Sequence, residues 1–340
     1  MAILVTGGAG YIGSHISVEL LKAGYDIIIV DNLVNSKYEA VRRIELITGR
    51  KLKFYQVDLL NRNALSRIFE NEKIETVIHL AGLKAVGESV KKPLLYYNTN
   101  IVGTLNLCSV MMKYKIKNII FSSSATVYGK SEIMPITEAC PIGEIKNPYG
   151  QTKYILEQIL TDLHTADSEW NIVLLRYFNP IGAHESGLLG EDPVRKPNNL
   201  LPHISRVAIG REKRVEIFGN DYPTPDGTCI RDYVHVVDLA KGHVRALMQM
   251  KPGSGVNIYN LGTGTGYSVL EVLTMYEKIC GKELPYVVKT RREGDVAISY
   301  CDPSKAGKEL GWIAEKKIED MCMDSWRWQR MNPNGYENNL

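Results

Sequence analysis

Three residues in this 340-residue chain could move a proton at an alcohol. Ser124 lies in the run Ser122-Ser123-Ser124-Ala125-Thr126-Val127-Tyr128-Gly129, and Tyr149 and Lys153 lie in Tyr149-Gly150-Gln151-Thr152-Lys153. On a helix, Tyr149 and Lys153 stand at i and i+4 and share one face. A free phenol has a pKa of about 10, too high for a general base at neutral pH, and a cation one turn away favours the phenolate. A serine hydroxyl delivered by a strand end can hold a substrate oxygen beside that phenolate. Together these are the parts for taking or returning a proton while a hydride leaves or arrives. Alone, such a Tyr/Lys pair also arises by chance on surface helices, and a serine run is commonly a strand entering a loop.

The N-terminus changes those odds. Ala2 to Thr6 is a short continuous apolar run, as expected of a buried parallel strand. Gly7-Gly8-Ala9-Gly10-Tyr11-Ile12-Gly13 follows, and then a helical pattern through Ile16, Leu20 and Leu21 that closes at Gly24. These glycines permit a tight turn and close approach to a pyrophosphate, and the helix start offers free N–H groups. A second strand, Ile27 to Val30, ends in Asp31, 24 residues after Gly7. A carboxylate there accepts hydrogen bonds from an adenosine ribose diol and repels a 2′-phosphate, which favours NAD over NADP.

The elements that must position these groups alternate regularly. Strands are expected at Lys53 to Val57, Thr76 to Leu80, Asn118 to Phe121 and Asn171 to Leu175. Helices are expected at Asn63 to Asn71, Pro93 to Tyr114, and from Tyr149 through Leu163. Asp58 and Leu59 follow the third strand at a place suited to adenine. Leu80, Ala81 and Lys84 follow the fourth, where doubly wound sheets bind their ligands. The fold class is therefore α/β: a Rossmann-type doubly wound parallel sheet over residues 1–180, with a smaller α/β substrate lobe over 181–340. Some segments of the second lobe are expected to return to the first.

Composition narrows the partners. The 41 basic and 38 acidic residues are mixed along the chain and leave a net charge of +3, which argues against nucleic acid or a membrane surface. Cys108, Cys140, Cys229, Cys280, Cys301 and Cys322 are scattered without metal-finger spacing, so no metal is expected. No apolar run approaches the ~18 residues of a membrane span. With no basic leader ahead of the first strand, the reading predicts a soluble cytoplasmic protein.

With TGGAGYIG, SSSATVYG, YGQTK and RYFNPIGA in this order, the chain resembles the extended short-chain dehydrogenase/reductases. Within them it is similar to the UDP-hexose 4-epimerases over nearly its whole length. Supporting stretches include DNLVNS (31–36), HLAGLKAVGESV (79–90), NNL (198–200), FGNDYPTPDGTCIRDYVHV (218–236) and RREGD (291–295). The resemblance implies Tyr149 as base and acid at the sugar 4-OH, Lys153 on the nicotinamide ribose lowering the tyrosine pKa, and Ser124 on the reacting oxygen. It implies that NAD is lined by Gly7, Gly10, Tyr11, Ile12, Gly13, Asp31, Asn32, Asn35, Ser36, Asp58, Leu59, Leu80, Ala81, Lys84 and Phe178. Thr99 stands where some relatives carry asparagine. The UDP part falls to Asn179, Asn199, Leu200, Phe218, Arg231, Arg292 and Asp295. Two arginines suit a diphosphate, unless neighbours such as Asp232 or Glu293 engage them.

Ser299, four residues after Asp295, then borders C2 of the sugar. A small side chain there leaves room for an acetamido group, so UDP-GlcNAc and UDP-GalNAc join UDP-Glc and UDP-Gal as expected substrates. The alternatives are an epimerase restricted to UDP-Glc and UDP-Gal, or a nucleotide-sugar 4,6-dehydratase. Dehydratases carry Asp-Glu where this chain has Ala125-Thr126. A non-enzymatic NAD sensor would be expected to lack part of the Ser/Tyr/Lys set. Relatives are commonly homodimers through two helices per subunit; the candidates are the helix at 93–114 and the Tyr149 helix.

Overall fold

The computed structural model describes residues 2–194, 199–292 and 295–337. Strands β1 (Ala2–Thr6), β2 (Asp26–Asp31), β3 (Lys53–Gln56), β4 (Ile74–His79), β5 (Asn118–Ser124) and β6 (Asn171–Tyr177) are the six expected from the apolar runs, with ends shifted by a few residues. Beyond them come β7 (Asn179–Ile181), β8 (Val215–Phe218), β9 (Ile230–His235), β10 (Val256–Leu261), β11 (Gly266–Ser268), β12 (Tyr286–Lys289) and β13 (Ile298–Ser299).

The large sheet is wholly parallel, in the order β10-β6-β5-β4-β1-β2-β3. The strand order reverses between β1 and β4, and a doubly wound sheet opens its ligand crevice at that point. Apolar side chains on both faces explain why these strands read as unbroken hydrophobic runs. One face packs Ile3, Val5, Ile29 and Ile120 against the helices Tyr11–Lys22 and Val236–Gln249. The other packs Leu4, Ile28, Val77 and Phe121 against Arg62–Asn71 and Gly103–Lys113. Two small sheets, β11-β9-β13 with β7 on β9, and β12-β8, form the second lobe around Leu201, Ile204, Ile217 and Tyr276.

The helix expected from Pro93 to Tyr114 is present but irregular. It runs α over Pro93–Tyr96, widens to π over Tyr97–Val102, and resumes α over Gly103–Lys113. A π segment inserts residues into the 3.6-residue repeat and re-aims the turns beyond it, and it is frequent at functional sites. Here the buried Asn100 falls within it.

Candidate functional site

The crevice begins at the glycine turn. Gly7 has φ +70°, and a Cβ on it would stand 2.8 Å from the Ala81 amide nitrogen, so the ends of β1 and β4 meet only over a glycine. A Cβ on Gly13 would stand 2.2 Å from the Gly7 carbonyl oxygen. The helix Tyr11–Lys22 starts at Gly10 with no capping side chain and no acidic residue in its first turn. Its first N–H groups are thus free for an anion. Tyr11 donates its hydroxyl to the Gly182 carbonyl at 2.7 Å, tying this turn to the second lobe. Ile12 packs at the edge of the core.

At the end of β2, Asp31 organises the loop that follows it. Asp31 accepts from Ala9 N (3.1 Å), Leu33 N (2.9 Å) and Ser36 Oγ (2.8 Å). A carboxylate has about four acceptor positions, so most of this one is already engaged in shaping the loop. Its charge still disfavours a 2′-phosphate. Asn32 Nδ2 donates to Asp58 Oδ2 at 2.8 Å, joining the ends of β2 and β3, while Asn35 is exposed and Leu59 is buried. Uncapped N–H groups, a glycine-lined approach and the Asp31/Asp58 rim all fit a dinucleotide.

β5 delivers the three serines, and each does something different. The Ser122 carbonyl accepts from Lys153 Nζ at 2.6 Å. Ser123 Oγ donates to Glu157, which Arg176 of β6 grips through two nitrogens at 3.0 and 2.6 Å. Ser124 caps the turn Ala125–Tyr128 through Thr126 N and faces Tyr149. Tyr149 sits in the first turn of the helix Pro148–Ala166, which Asn147 caps and Pro148 opens. Gly150 lets that turn press against Ile145 and Thr126: a Cβ there would meet Ile145 Cγ2 at 2.7 Å.

The electrostatics correct one expectation. Burial raises the Tyr149 pKa above the ordinary phenol value, and the Ser124 hydrogen bond only partly opposes it. Burial also pushes the Lys153 ammonium down to about 8, with Glu157 resisting from one turn further along the same face. Within the protein alone, desolvation outweighs any pull of Lys153 on the phenol.

Lys84 is paired with Glu191. Its Nζ lies 3.0 Å from Glu191 Oε1 and 5.9 Å from the centre of the Tyr11 ring. Phe178 is buried in a cluster with Val127, Tyr128, Ile136 and Cys301, so its ring is largely committed to packing. Leu80 N and Ala81 N bond to the Thr6 carbonyl and hydroxyl, leaving both residues half-exposed beside Gly7.

In the second lobe, the Arg292 guanidinium stacks 3.9 Å from the centre of the Phe218 ring. Arg231 Nη2 lies 3.6 Å from Asp295 Oδ1 and is not held by Asp232. That carboxylate is buried and accepts from Thr263, Gly264 and Cys301. Ser299 pairs with Arg231 in register between β13 and β9. Asn179 opens β7 with its side chain exposed, and Asn199 and Leu200 begin the helix Leu200–Ala208. Asn198, Glu293 and Gly294 of the quoted stretches lie outside the described residues.

Three residues escaped the sequence reading. Asn100 bonds Leu83 N, Leu83 O and Thr152 Oγ1 at 2.8 to 3.0 Å, pinning the Lys84 loop to the Tyr149 helix. The polar run Asn98-Thr99-Asn100 within the helix was the available signal. Glu157 stands four residues beyond Lys153, but its buried partner Arg176 is invisible from spacing. Glu191 had no motif around it. Among the described residues no cluster of His, Cys, Asp and Glu could hold a metal ion, and no helix is long and apolar enough to cross a membrane.

A doubly wound sheet with a glycine turn into an uncapped helix, acidic residues at the ends of β2 and β3, and neighbouring Ser, Tyr and Lys side chains fits a dinucleotide-dependent, short-chain-dehydrogenase-like protein. Residues 3–262 match the NAD dependent epimerase/dehydratase family, and the chain belongs to that family. It is 60% identical over 337 residues to the UDP-glucose 4-epimerase of Bacillus subtilis strain 168, covering 99% of each chain. The crystal structure of the Bifidobacterium longum UDP-glucose 4-epimerase with NAD+ and UDP is 56% identical with a TM-score of 0.97, covering 98% of this chain and 100% of that one. The UDP-Glc/GlcNAc 4-epimerase of Campylobacter jejuni is 35% identical with a TM-score of 0.83, covering 97% and 99%.

The Glu157–Arg176 pair sets a measurable constraint. Breaking a buried pair on one side costs about 3–5 kcal/mol, whereas replacing both partners with apolar residues is often tolerated. Glu157→Gln is expected to lower the thermal unfolding midpoint by several degrees, and Glu157→Leu with Arg176→Met to recover much of the loss. An unchanged midpoint in the single variant would mean that the pair does not hold this corner together.

Proposed function

We propose that this protein is an NAD-dependent UDP-hexose 4-epimerase acting on UDP-glucose and UDP-galactose. The reading rests on one juxtaposition: Ser124 faces Tyr149 at the end of β5, with Lys153 fixed behind them on the Ser122 carbonyl. The sequence likeness to UDP-glucose 4-epimerases along the whole chain supports it.

Tyr149 takes the proton from the sugar 4-OH and returns it after the transient 4-keto sugar has turned over. Ser124 holds O4 beside the phenol, and Lys153 holds the nicotinamide ribose and adds positive charge. When bound, NAD supplies the hydride acceptor and donor at C4, and its positive ring adds the pull needed to ionise a phenol that burial alone holds up. Arg231 and Arg292 face the diphosphate with Asn179 and Asn199, Phe218 and Leu200 cover uracil, and Asp295 takes a ribose hydroxyl. Anchoring through UDP lets the sugar present either face. Six free cysteines among the described residues, five of them buried, suit a reducing cytoplasm.

The finer proposal is that acetamido sugars are also substrates. Ser299 is small and half-exposed beside Arg231. Tyr300, the neighbour able to fill the space, leans the other way: its Cδ1 would lie 3.6 Å from a Cβ on Gly266. The fold also supports a homodimer. The irregular helix leaves Leu94 82% exposed, with Val102, Leu105 and Met112 also exposed, an apolar surface unusual for a free monomer.

Purified protein without added NAD, followed by NMR of the anomeric proton, is expected to convert UDP-glucose to UDP-galactose. A product lacking its 6-OH, or no turnover even with NAD supplied, would overturn the assignment. UDP-GlcNAc is expected to be converted as well, and Ser299→Tyr to cut that activity at least about tenfold, a clash of only about 1.4 kcal/mol, while UDP-glucose turnover persists. Equal effects on both sugars would reject the gate. Sedimentation should give a dimer that Leu94→Lys with Leu105→Lys converts to monomer; a monomeric wild type would rule the interface out.

A further inference from the structure

The segment Leu188–Asp192 crosses between the two ligand-facing lobes and is held firmly. Arg43 bonds the Leu188 carbonyl at 3.1 Å, the Tyr336 hydroxyl meets Gly190 N and O at 3.2 Å, and Asp192 accepts from Lys37 Nζ and Tyr336 N at 2.8 Å. From this platform Glu191, 11% exposed, reaches into the cleft. Its Oε1 accepts from Lys84 Nζ at 3.0 Å and from Asn199 Nδ2 at 2.8 Å. It also lines a small cavity of about 10 Å³ with Tyr11, Gly182 and Leu201.

We propose that Glu191 is a positioning residue that couples the dinucleotide site to the nucleotide-sugar site by holding Lys84 and Asn199 on one carboxylate oxygen. The proposal rests on the assignment of Lys84 to the cofactor and Asn199 to the UDP part made above. Asparagine at a helix N-cap ordinarily turns its side chain onto the first-turn N–H groups. Asn199 makes no such bond, and its amide points to Glu191 instead. An amide nitrogen carries two hydrogens, so with one on Glu191 the other has a fixed direction. A bare carboxylate between two diphosphates would be repulsive, and Lys84 offsets it. A dinucleotide that fixes Lys84 between itself and Glu191 keeps that charge offset in place, fixes the carboxylate, and with it holds the Asn199 amide toward the second ligand. Linkage makes this reciprocal: the nucleotide must strengthen cofactor retention by the same factor.

The test uses NAD-loaded protein with UDP as the probe, measuring UDP affinity by calorimetry and the factor by which saturating UDP slows NAD release. Glu191→Ala is expected to weaken UDP about five- to tenfold, within the usual range of coupling between sites. Asn199→Ala should weaken it similarly, and the double variant should be no weaker than Asn199→Ala alone. The slowing of NAD release by UDP should fall towards onefold in Glu191→Ala. Glu191→Gln, which keeps the shape and an acceptor, is measured alongside and should retain most of the UDP affinity. It keeps the test open should the alanine variant fail to fold. If Asn199→Ala leaves UDP affinity intact, the site assignment fails and the coupling with it. If Asn199→Ala weakens UDP but the Glu191 effect is absent or additive, or the NAD linkage is unchanged, the coupling alone is overturned.

Discussion

The end of β5 depends on one buried ion pair. Glu157 and Arg176 are both almost fully enclosed, and their two-nitrogen contact ties the Tyr149 helix to β6, with Ser123 closing the triangle from β5. Taking two charges out of water is costly, and only good geometry and further hydrogen bonds repay it. Those bonds are present, and Arg176 also lies 4.7 Å from the centre of the Tyr128 ring. Tyr128 in turn donates to Asn260 of β10 at 2.6 Å. The serine run, the helix and the last two strands of the sheet therefore share one polar network. The side chains facing the cleft inherit its rigidity.

Strand geometry explains why consecutive serines can do separate work. Side chains alternate across a strand, so Ser122 and Ser124 project to one side and Ser123 to the other. Ser123 faces the ion pair, while Ser124 faces Tyr149 where the strand runs out. The Ser122 contribution comes from its backbone: the carbonyl fixes the Lys153 ammonium. Lys153 is deeply buried, which pulls its ammonium down to about 8, and Glu157 on the same helix face opposes that fall. One acidic residue thus serves both the fold and the charge state of the cleft.

Much of this was legible from residue order. Strands such as β1 and β2 announce themselves because parallel strands buried on both faces are uninterrupted apolar runs, whereas the edge strand β3 is marked only by Phe54 and Tyr55 between the exposed Lys53 and Gln56. The glycine turn, Asp31 and the Tyr/Lys spacing are local patterns that survive without a partner. β10 was not legible: VNIYNL packs Val256, Ile258, Tyr259 and Leu261 on the two cores, but Asn260 bonds Tyr128, Glu138 and the Ile136 carbonyl, and the two asparagines break the apolar run. Glu157 and Glu191 were missed for a related reason. Their partners Arg176, Lys84 and Asn199 are 8 to 107 residues away, and no periodicity records such pairings. The raised phenol pKa also escaped, because spacing reveals the neighbouring cation but not the depth of burial.

The chain after residue 177 does not form an appendage. It leaves the large sheet into β7, returns through the helix Val236–Gln249 that packs on Tyr11–Lys22, and supplies β10. It leaves again into β11 and comes back through Ser304–Leu310, which packs on β10 and on Val236–Gln249, before the helix Ile318–Met331 covers the second lobe. Hinge closure usually needs a few residues where little else crosses between lobes. Here the crossings are several, and Tyr11 to Gly182 and Lys84 to Glu191 add side-chain ties. Rotation about one hinge would break all of them together. These crossings favour adjustment by side chains and short loops over rotation of one lobe about a hinge.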